Sequence, residues 1–417
     1  MDVLVIGGGV VGVATAYFLS QAGLSVTGVE SRECAGLEAS AGNAGLLSPS
    51  DAFAWASPGS LKLAIKSLVH SDLGIQYKLR VDPKLWRWST EFLYQCTHDK
   101  WLKNSDSKYC LAEYSLSQLE ELRRDTDIGF DVSDAGILYA SRDQQSLNEL
   151  KSHYKFLQDR GLDLEFLDQD GLIEKLPVLE ASRGTYAGAV YSPNCKTGDS
   201  AKFSQQLASW CSENRNCKFM WGTSIEKILR KNNQISGVWT SKGELKADAY
   251  ILAAGAQSGL LAQQIGIRLP IYPIKGFSIT VPILNEELAP TMGFDDTQRL
   301  VALSRIGNRL RIASSAVFDG FDKSHCPQDF HSILKLVKEV FPGVADYNRA
   351  DYWAGLRPMT PSSVPILGAT RIGNLFLNAG HGHLGWTMSC GTGRIVADIV
   401  NGKAPEIEAA PFKLSGL

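Results

Sequence analysis

A basic excess is missing from this 417-residue sequence: Lys and Arg total 42 against 44 Asp and Glu, a formal net charge of -2. Nothing in that balance would hold a nucleic-acid backbone, so nucleic acid is set aside as a partner. Paired cysteines are missing as well. Cys34, Cys96, Cys110, Cys195, Cys211, Cys217, Cys326 and Cys390 are scattered with no C-x-x-C among them, and neither a metal site nor a disulfide scaffold is expected. The basic start of a secretory leader is absent, since Asp2 is acidic; reduced thiols in a cytoplasmic setting are the expectation.

Charge is absent altogether from Val3 to Val29, a length that invites a membrane-span reading. Gly7, Gly8, Gly9, Gly12, Gly23 and Gly28 break the stretch into strand, turn, helix and strand, which suits a buried α/β unit better. Internal repeats and low-complexity tracts are also absent. With 44% hydrophobic and 21% charged residues, the composition is globular, and the length predicts about two to three domains.

The chain opens as βαβ: an apolar run from Val3 to Ile6, a helical pattern over 10–21 stopped by Gly23, and a second strand over 25–29. Residues 39–58, rich in Gly, Ser, Pro and Ala, read as a long loop, and loops of that length are usually functional. Residues 60–125 read as mostly helical, with Trp86, Trp88, Phe92 and Trp101 as an apolar core face. A strand is predicted at 136–140, helices at 144–159 and 199–213, and a hairpin joining 225–229 to 235–240 through Lys231-Asn232-Asn233. A strand at 249–253 follows, then antiparallel strands within 271–281 and 299–316, and a helix at 331–340. The end reads as a strand at 375–378, a glycine-rich turn at 380–385 and a helix at 388–400.

Gly7-Gly8-Gly9-Val10-Val11-Gly12 fits G-x-G-x-x-G between the strand containing Val3 and the first helix. Gly7 allows the tight turn, Gly9 lets a pyrophosphate approach the backbone, and Gly12 allows close packing, while the helix start offers N–H groups. Glu30 lies about 20 residues on, where a carboxylate accepts from both ribose hydroxyls and repels a 2′-phosphate. Ser31 and Arg32 follow it. The loop Ser40-Ala41-Gly42-Asn43-Ala44-Gly45, continuing to Leu46, offers small residues and backbone donors. A second turn, Ala253-Ala254-Gly255-Ala256, follows a strand, with Ser224 and Ile225 assigned to the same set. A third, Gly380-His381-Gly382-His383-Leu384-Gly385, leads through Trp386 and Thr387 into the last helix. Three such turns suit an extended FAD better than NAD. His381 and His383 have no acid or thiol at ligand spacing, so a zinc site is not read there.

These residues carry a resemblance. Val3 to Tyr17, the Ser40–Gly45 loop, Trp55-Ala56-Ser57-Pro58-Gly59 and Tyr272-Pro273-Ile274-Lys275-Gly276-Phe277-Ser278-Ile279-Thr280 resemble the FAD-dependent D-amino acid dehydrogenases of the D-amino acid oxidase and glycine oxidase superfamily. So do Gly355-Leu356-Arg357-Pro358-Met359-Thr360-Pro361 and Asn378-Ala379-Gly380-His381-Gly382-His383-Leu384-Gly385-Trp386-Thr387-Met388. The resemblance spans essentially the whole chain. It implies that Arg357 binds the substrate carboxylate, as a guanidinium fork can. Of His381 and His383 one is read as facing flavin or substrate and the other as packed or solvated, with His381 assigned to the substrate and His383 to the cofactor. The turn at 380–387 would face the flavin pyrimidine ring. In the stretch Arg299-Leu300-Val301-Ala302-Leu303 no tyrosine stands where oxidases of the superfamily often place a second ligand. Cys390 falls inside the last helix, so the FAD is expected to be non-covalent.

The expected fold class is α/β. A discontinuous Rossmann-like FAD-binding domain (1–50, 196–265 and 350–417) would carry an inserted α+β substrate domain (51–195 and 266–349) with a mostly antiparallel sheet. The expected reaction is oxidative deamination of a D-amino acid to a 2-oxo acid and ammonia by hydride transfer to flavin N5, without a catalytic protein base. A secondary or cyclic amine substrate (D-hydroxyproline, D-proline, sarcosine or glycine), a catalytically silent flavin-binding subunit and an NAD-binding reductase are the alternatives. The resemblance implies a quinone or other electron carrier as acceptor. Lys62, Lys66, Lys78, Arg80, Lys84 and Arg87, mixed with apolar residues, allow a peripheral membrane contact on the inner face of a bacterial membrane. An ordinary helical cap is the reading preferred for that segment.

Overall fold

The uncharged opening segment folds as strand Asp2–Ile6, helix Val10–Gln21 and strand Ser25–Val29. They belong to a computed structural model that describes residues 1–60, 74–78 and 80–414. Side chains alternate across the first strand: Val3 and Val5 pack into one core, Leu4 and Ile6 into another. Both faces are covered, which is why the strand carries no polar residue after Asp2. Strand Asp2–Ile6 lies between strands Ala249–Leu252 and Ser25–Val29, all parallel, in a six-stranded sheet. Strands Cys217–Met220 and Leu375–Ala379 extend it in parallel, and Ile366–Ala369 closes one edge antiparallel. Helices Val10–Gln21 and Gly385–Val400 pack against each other. A three-stranded sheet (Ile225–Lys231, Gln234–Thr240, Gly243–Leu245) and helix Ser258–Gln264 contribute to the core on the opposite side.

The second sheet has nine strands and is mostly antiparallel. Its edge strand Asp351–Met359 pairs with Tyr272–Pro282, followed by Arg309–Phe318, Val301–Ile306 and Gly293–Asp296. Strands Ile137–Ser141, Gly188–Ser192 and Glu165–Asp168 complete the main path. Strand Ile75–Tyr77 pairs with Arg309–Phe318 in parallel. Helix His331–Val340 buries Ile333, Leu336, Val337 and Val340 in the core beneath this sheet.

Most elements fall within a residue or two of expectation. The last helix begins at Gly385, three residues before the expected start. The 299–316 run forms two antiparallel strands turned at Gly307 and Asn308. Trp86, read as part of a core face, is 55% exposed. Trp88 and Trp101 are buried; Trp88 Nε1 donates to the Met359 carbonyl at 2.9 Å. Lys62 and Lys66 lie outside the described residues.

Two hydrogen-bonding patterns cross the expected domain boundaries. Strand Asp351–Met359, grouped by sequence with 350–417, bonds to the nine-stranded sheet. Helix His98–Thr126, grouped with the inserted segment, packs on the last helix, where Gly391 N–H donates to Ser115 Oγ at 2.9 Å. A bridge between Met359 and His381 joins the end of the edge strand to the third glycine turn.

Candidate active site

Residues of both sheets line one cavity of about 1360 Å³. That exceeds the volume of about 300–1,000 Å³ typical of a pocket for one drug-sized molecule.

One end is built by the first glycine turn. Gly7 has φ +117°, and a Cβ there would stand 2.4 Å from the Ala253 carbonyl oxygen; a Cβ on Gly12 would stand 1.9 Å from the Gly7 carbonyl oxygen. Turn, helix and neighbouring strand therefore meet backbone to backbone. A Cβ on Gly9 would meet only Ser40 Oγ, at 3.5 Å, so this glycine fronts open space. Ser40 Oγ accepts from Val10 N–H at 3.0 Å, and Glu30 Oε2 accepts from Gly8 N–H at 2.7 Å. Ser31 Oγ and Arg32 N–H both donate to Glu30 Oε1 at 2.9 Å.

Gly7, Gly9, Val10, Val11, Glu30, Ser31, Arg32, Ser40, Asn43, Ala44 and Leu46 line the cavity, as do Ser224, Ile225, Ala254 and Gly255. The third turn contributes His381, Gly382, His383, Leu384, Gly385 and Trp386. Six expected residues do not line it. Val3 is buried in the central strand, and Gly12 packs on Gly7. The Ala41 carbonyl accepts from Arg311 Nη1, and the Gly45 carbonyl accepts from Gly198 N–H. Gly380 shapes its turn at φ +79°, and Thr387 Oγ1 accepts from Ser48 N–H at 3.0 Å. Cys390 is buried within the last helix.

Arg357 lines the same cavity. Its seat depends on a bulge: opposite Lys275, Gly276 and Phe277, strand Arg309–Phe318 carries one extra residue, and Ser315 adopts φ 72°. Such a bulge re-aims a backbone group; here the Ser315 carbonyl accepts from Arg357 Nη1. Across from it, a Cβ on Gly276 would stand 2.6 Å from the guanidinium carbon. Among the described residues, no carboxylate lies within 4.0 Å of this guanidinium, and Asp351 is not its partner. Burial lowers its pKa to about 10. A desolvated cation that lines the cavity with no carboxylate paired to it is a seat for a planar anion.

The two histidines of the third turn differ. His381 is buried, its Nε2 is 3.1 Å from Thr392 Oγ1, and burial lowers its pKa to about 3. His383 stacks on Trp55 with ring centroids 4.9 Å apart, and its buried Nε2 has no hydrogen-bond partner. Of the pair, His383 has the ring nitrogen available to a bound molecule. Sequence reasoning did not single out Asp51, Lys108, Gly276 or Ser315 as site residues. Only the length of the 39–58 loop and the Trp55 motif signalled that part of the cavity.

The sequence profile of the FAD dependent oxidoreductase family matches residues 2–399. "D-amino acid dehydrogenase 2" of Mesorhizobium japonicum is 45% identical over 408 residues, covering 98% of both chains. "D-amino acid dehydrogenase" of Methylobacterium radiotolerans is 40% identical over 415 residues, covering 99% of both. Among solved structures, glycine oxidase from Geobacillus kaustophilus shares the fold with a TM-score of 0.76 at 24% identity, over 100% of this chain and 98% of that one. The glycine turns, the ribose-side carboxylate and the size of the cavity suit FAD, and the chain belongs to the FAD-dependent oxidoreductase family.

Proposed function

We propose that the protein oxidises D-amino acids to 2-imino acids, which water hydrolyses to 2-oxo acids and ammonia. The observation that carries this reading is Arg357, a cavity-lining guanidinium with no carboxylate partner among the described residues, in the same cavity as the glycine turns. The relatives named D-amino acid dehydrogenase support the substrate class.

FAD, when bound, supplies the two-electron acceptor for the hydride leaving the α-carbon. Gly7, Gly9 and the start of helix Val10–Gln21 would hold its pyrophosphate, with Glu30 on the ribose hydroxyls. The segment Gly382–Trp386, at the start of the last helix, would set backbone N–H groups against the flavin ring. Arg357 holds the carboxylate and so fixes which α-substituent faces the ring. We read the acceptor as a quinone or another non-oxygen carrier. Trp86, Leu93 and Tyr94, exposed on helix Pro83–Gln95, favour contact with a membrane surface. No helix among the described residues is long and apolar enough to cross one. Flotation with anionic liposomes tests the contact, and protein that never co-floats removes it.

The test of the reaction is anaerobic. The purified holoenzyme is mixed with D- and L-amino acids, glycine, sarcosine, D-proline and D-hydroxyproline while the flavin band is followed. Bleaching by several D-amino acids and not by their L-forms is the expected result. Bleaching by cyclic or N-methylated amines alone would replace the substrate class, and no bleaching by any of them would overturn the reading.

A further inference from the structure

In the same cavity as Arg357, a carboxylate and one imidazole nitrogen lack hydrogen-bond partners. Asp51 ends the short helix Pro49–Asp51 in the 39–58 loop, and its side chain remains 45% exposed although it lines the cavity. Asp51 Oδ2 lies 3.6 Å from His383 Nε2, within ion-pair range and too long for a hydrogen bond. No side-chain hydrogen bond to the Asp51 carboxylate occurs among the described residues. Trp55 holds the His383 ring by stacking, and Trp55 N–H is itself fixed on Ser363 Oγ at 2.9 Å.

Lys108 sits behind this pair on helix His98–Thr126. It is fully buried, and its Nζ donates to the Phe53 carbonyl. Its charge offsets that of Asp51 without a direct ion pair, so the carboxylate stays open to the cavity. Arg357, Asp51 and His383 thus present one cation, one anion and one neutral acceptor to a common space. A zwitterion with a carboxylate and an ammonium group satisfies all three.

We propose that Asp51, with His383 beside it, binds the amine of the substrate and accepts its proton. The inference rests on the amino acid oxidation proposed above and adds to it the base that the sequence reading left out. The ammonium donates to the Asp51 carboxylate and to His383 Nε2. One N–H bond breaks and an O–H bond forms on Asp51, and the electron pair stays on nitrogen. That pair would form the C=N bond as the α-hydrogen leaves as hydride, with bound FAD as the two-electron acceptor, so charge and electrons balance. Asp51 must be ionised when substrate arrives. The groups around it are His383, Lys108, Asp295, Tyr139 and Tyr154. Burial lifts its pKa above the usual carboxylate range, and the Lys108 charge pulls it down.

The test uses the holoenzyme, the fastest D-amino acid of the panel above and the same carboxylic acid lacking nitrogen. Asp51→Asn raises KM for the amino acid by about 30-fold or more, the scale for truncating one partner of a buried charged pair. It leaves binding of the nitrogen-free acid, read from the flavin spectrum, as tight or tighter, because a repelling charge is gone. In the wild type, kcat/KM rises with Asp51 ionisation and levels off below the pKa of the free amine. In Asp51→Asn it keeps rising up to that pKa, and Asp51→Glu restores the plateau. An unchanged KM, or equal weakening of both ligands, overturns the proposal. So does a wild-type profile that tracks only the free amine, a result that needs no variant to fold. Wild-type flavin untouched by any D-amino acid would instead fail the functional reading itself and take this proposal with it.

Discussion

Gly276 and Arg357 occupy one space: a Cβ on the glycine would stand 2.6 Å from the guanidinium carbon and 2.7 Å from Nη2. The absent side chain is what lets the arginine lie flat against the strand and reach the Ser315 carbonyl. Gly276→Ala is therefore expected to displace the guanidinium and raise substrate KM by about tenfold or more, as loss of a charge-assisted pair does. FAD content should stay at the wild-type level. Arg357→Met should raise KM further with FAD still bound. Steady-state kinetics with an artificial dye as acceptor, beside the flavin absorbance, check both; wild-type kinetics in either variant would contradict the assignment.

The first glycine turn makes a different prediction. Gly7→Ala places a Cβ against the Ala253 carbonyl at φ +117°, a combination that costs at least about 1–3 kcal/mol in backbone strain alone. The turn must move, and with it the N–H groups that would face the pyrophosphate. The variant should lose FAD on gel filtration and melt at a lower temperature than the wild type. A fully loaded, equally stable variant would show that the turn is more tolerant than its geometry implies.

Arg311 carries the third prediction. Its Nε donates to Thr280 Oγ1 at 2.8 Å, and Nη1 donates to the Ala41 and Asn43 carbonyls. It thereby pins the 40–45 loop to the larger sheet, with burial lowering its pKa. Arg311→Met leaves two carbonyls without their donor and should weaken FAD binding by about tenfold, or 1.4 kcal/mol. Ultrafiltration at graded protein concentration reads the dissociation constant. An unchanged constant would mean that the loop is held by its remaining bonds.

Acid should destabilise the fold through its neutral histidines. Burial lowers the pKa of His381 to about 3 and of His153 to about 4, against about 6.5 in an unfolded chain. The unfolded state therefore binds more protons below pH 6.5. The stability contributed by the neutral rings is complete above that value and is lost as pH falls toward 4 for His153 and 3 for His381. Melting temperature should drop between pH 7 and 5, and the drop should be smaller in His381→Gln and His153→Gln. An undiminished drop in both variants would place the acid sensitivity elsewhere.

The nucleotide half of the site was legible because its signals are local. G-x-G-x-x-G, the strand before it, the helix after it and Glu30 all fall within the first thirty residues, and backbone geometry leaves few other ways to use them. Arg357 was legible through its Gly-Leu-Arg-Pro motif. Asp51 and Lys108 were not, since 57 positions separate them and only helix His98–Thr126 brings the lysine beneath the loop. A buried lysine on that helix has the same sequence appearance as a solvated one. The exposure of Trp86 shows the converse: on helix Pro83–Gln95, Trp88 and Leu85 bury while Trp86 turns outward, and composition alone does not mark which tryptophan faces in.

Strand Asp351–Met359 is paired residue for residue with Tyr272–Pro282, Arg357 opposite Ile274. Trp353 and the run from Gly355 to Pro358 line the cavity, whereas Ala354 belongs to the core beneath helix His331–Val340. A slip of one residue would turn the arginine to the other face of the strand, away from Gly276 and the Ser315 carbonyl that seat it. Lengthening or shortening this strand by a single residue should therefore cost recognition altogether, although each residue would keep its chemical identity. Exchanges that preserve its length would alter the pocket only by degrees. Diversification of substrate choice around such an anchor has to proceed by replacement, because the ladder leaves no room for insertion or deletion.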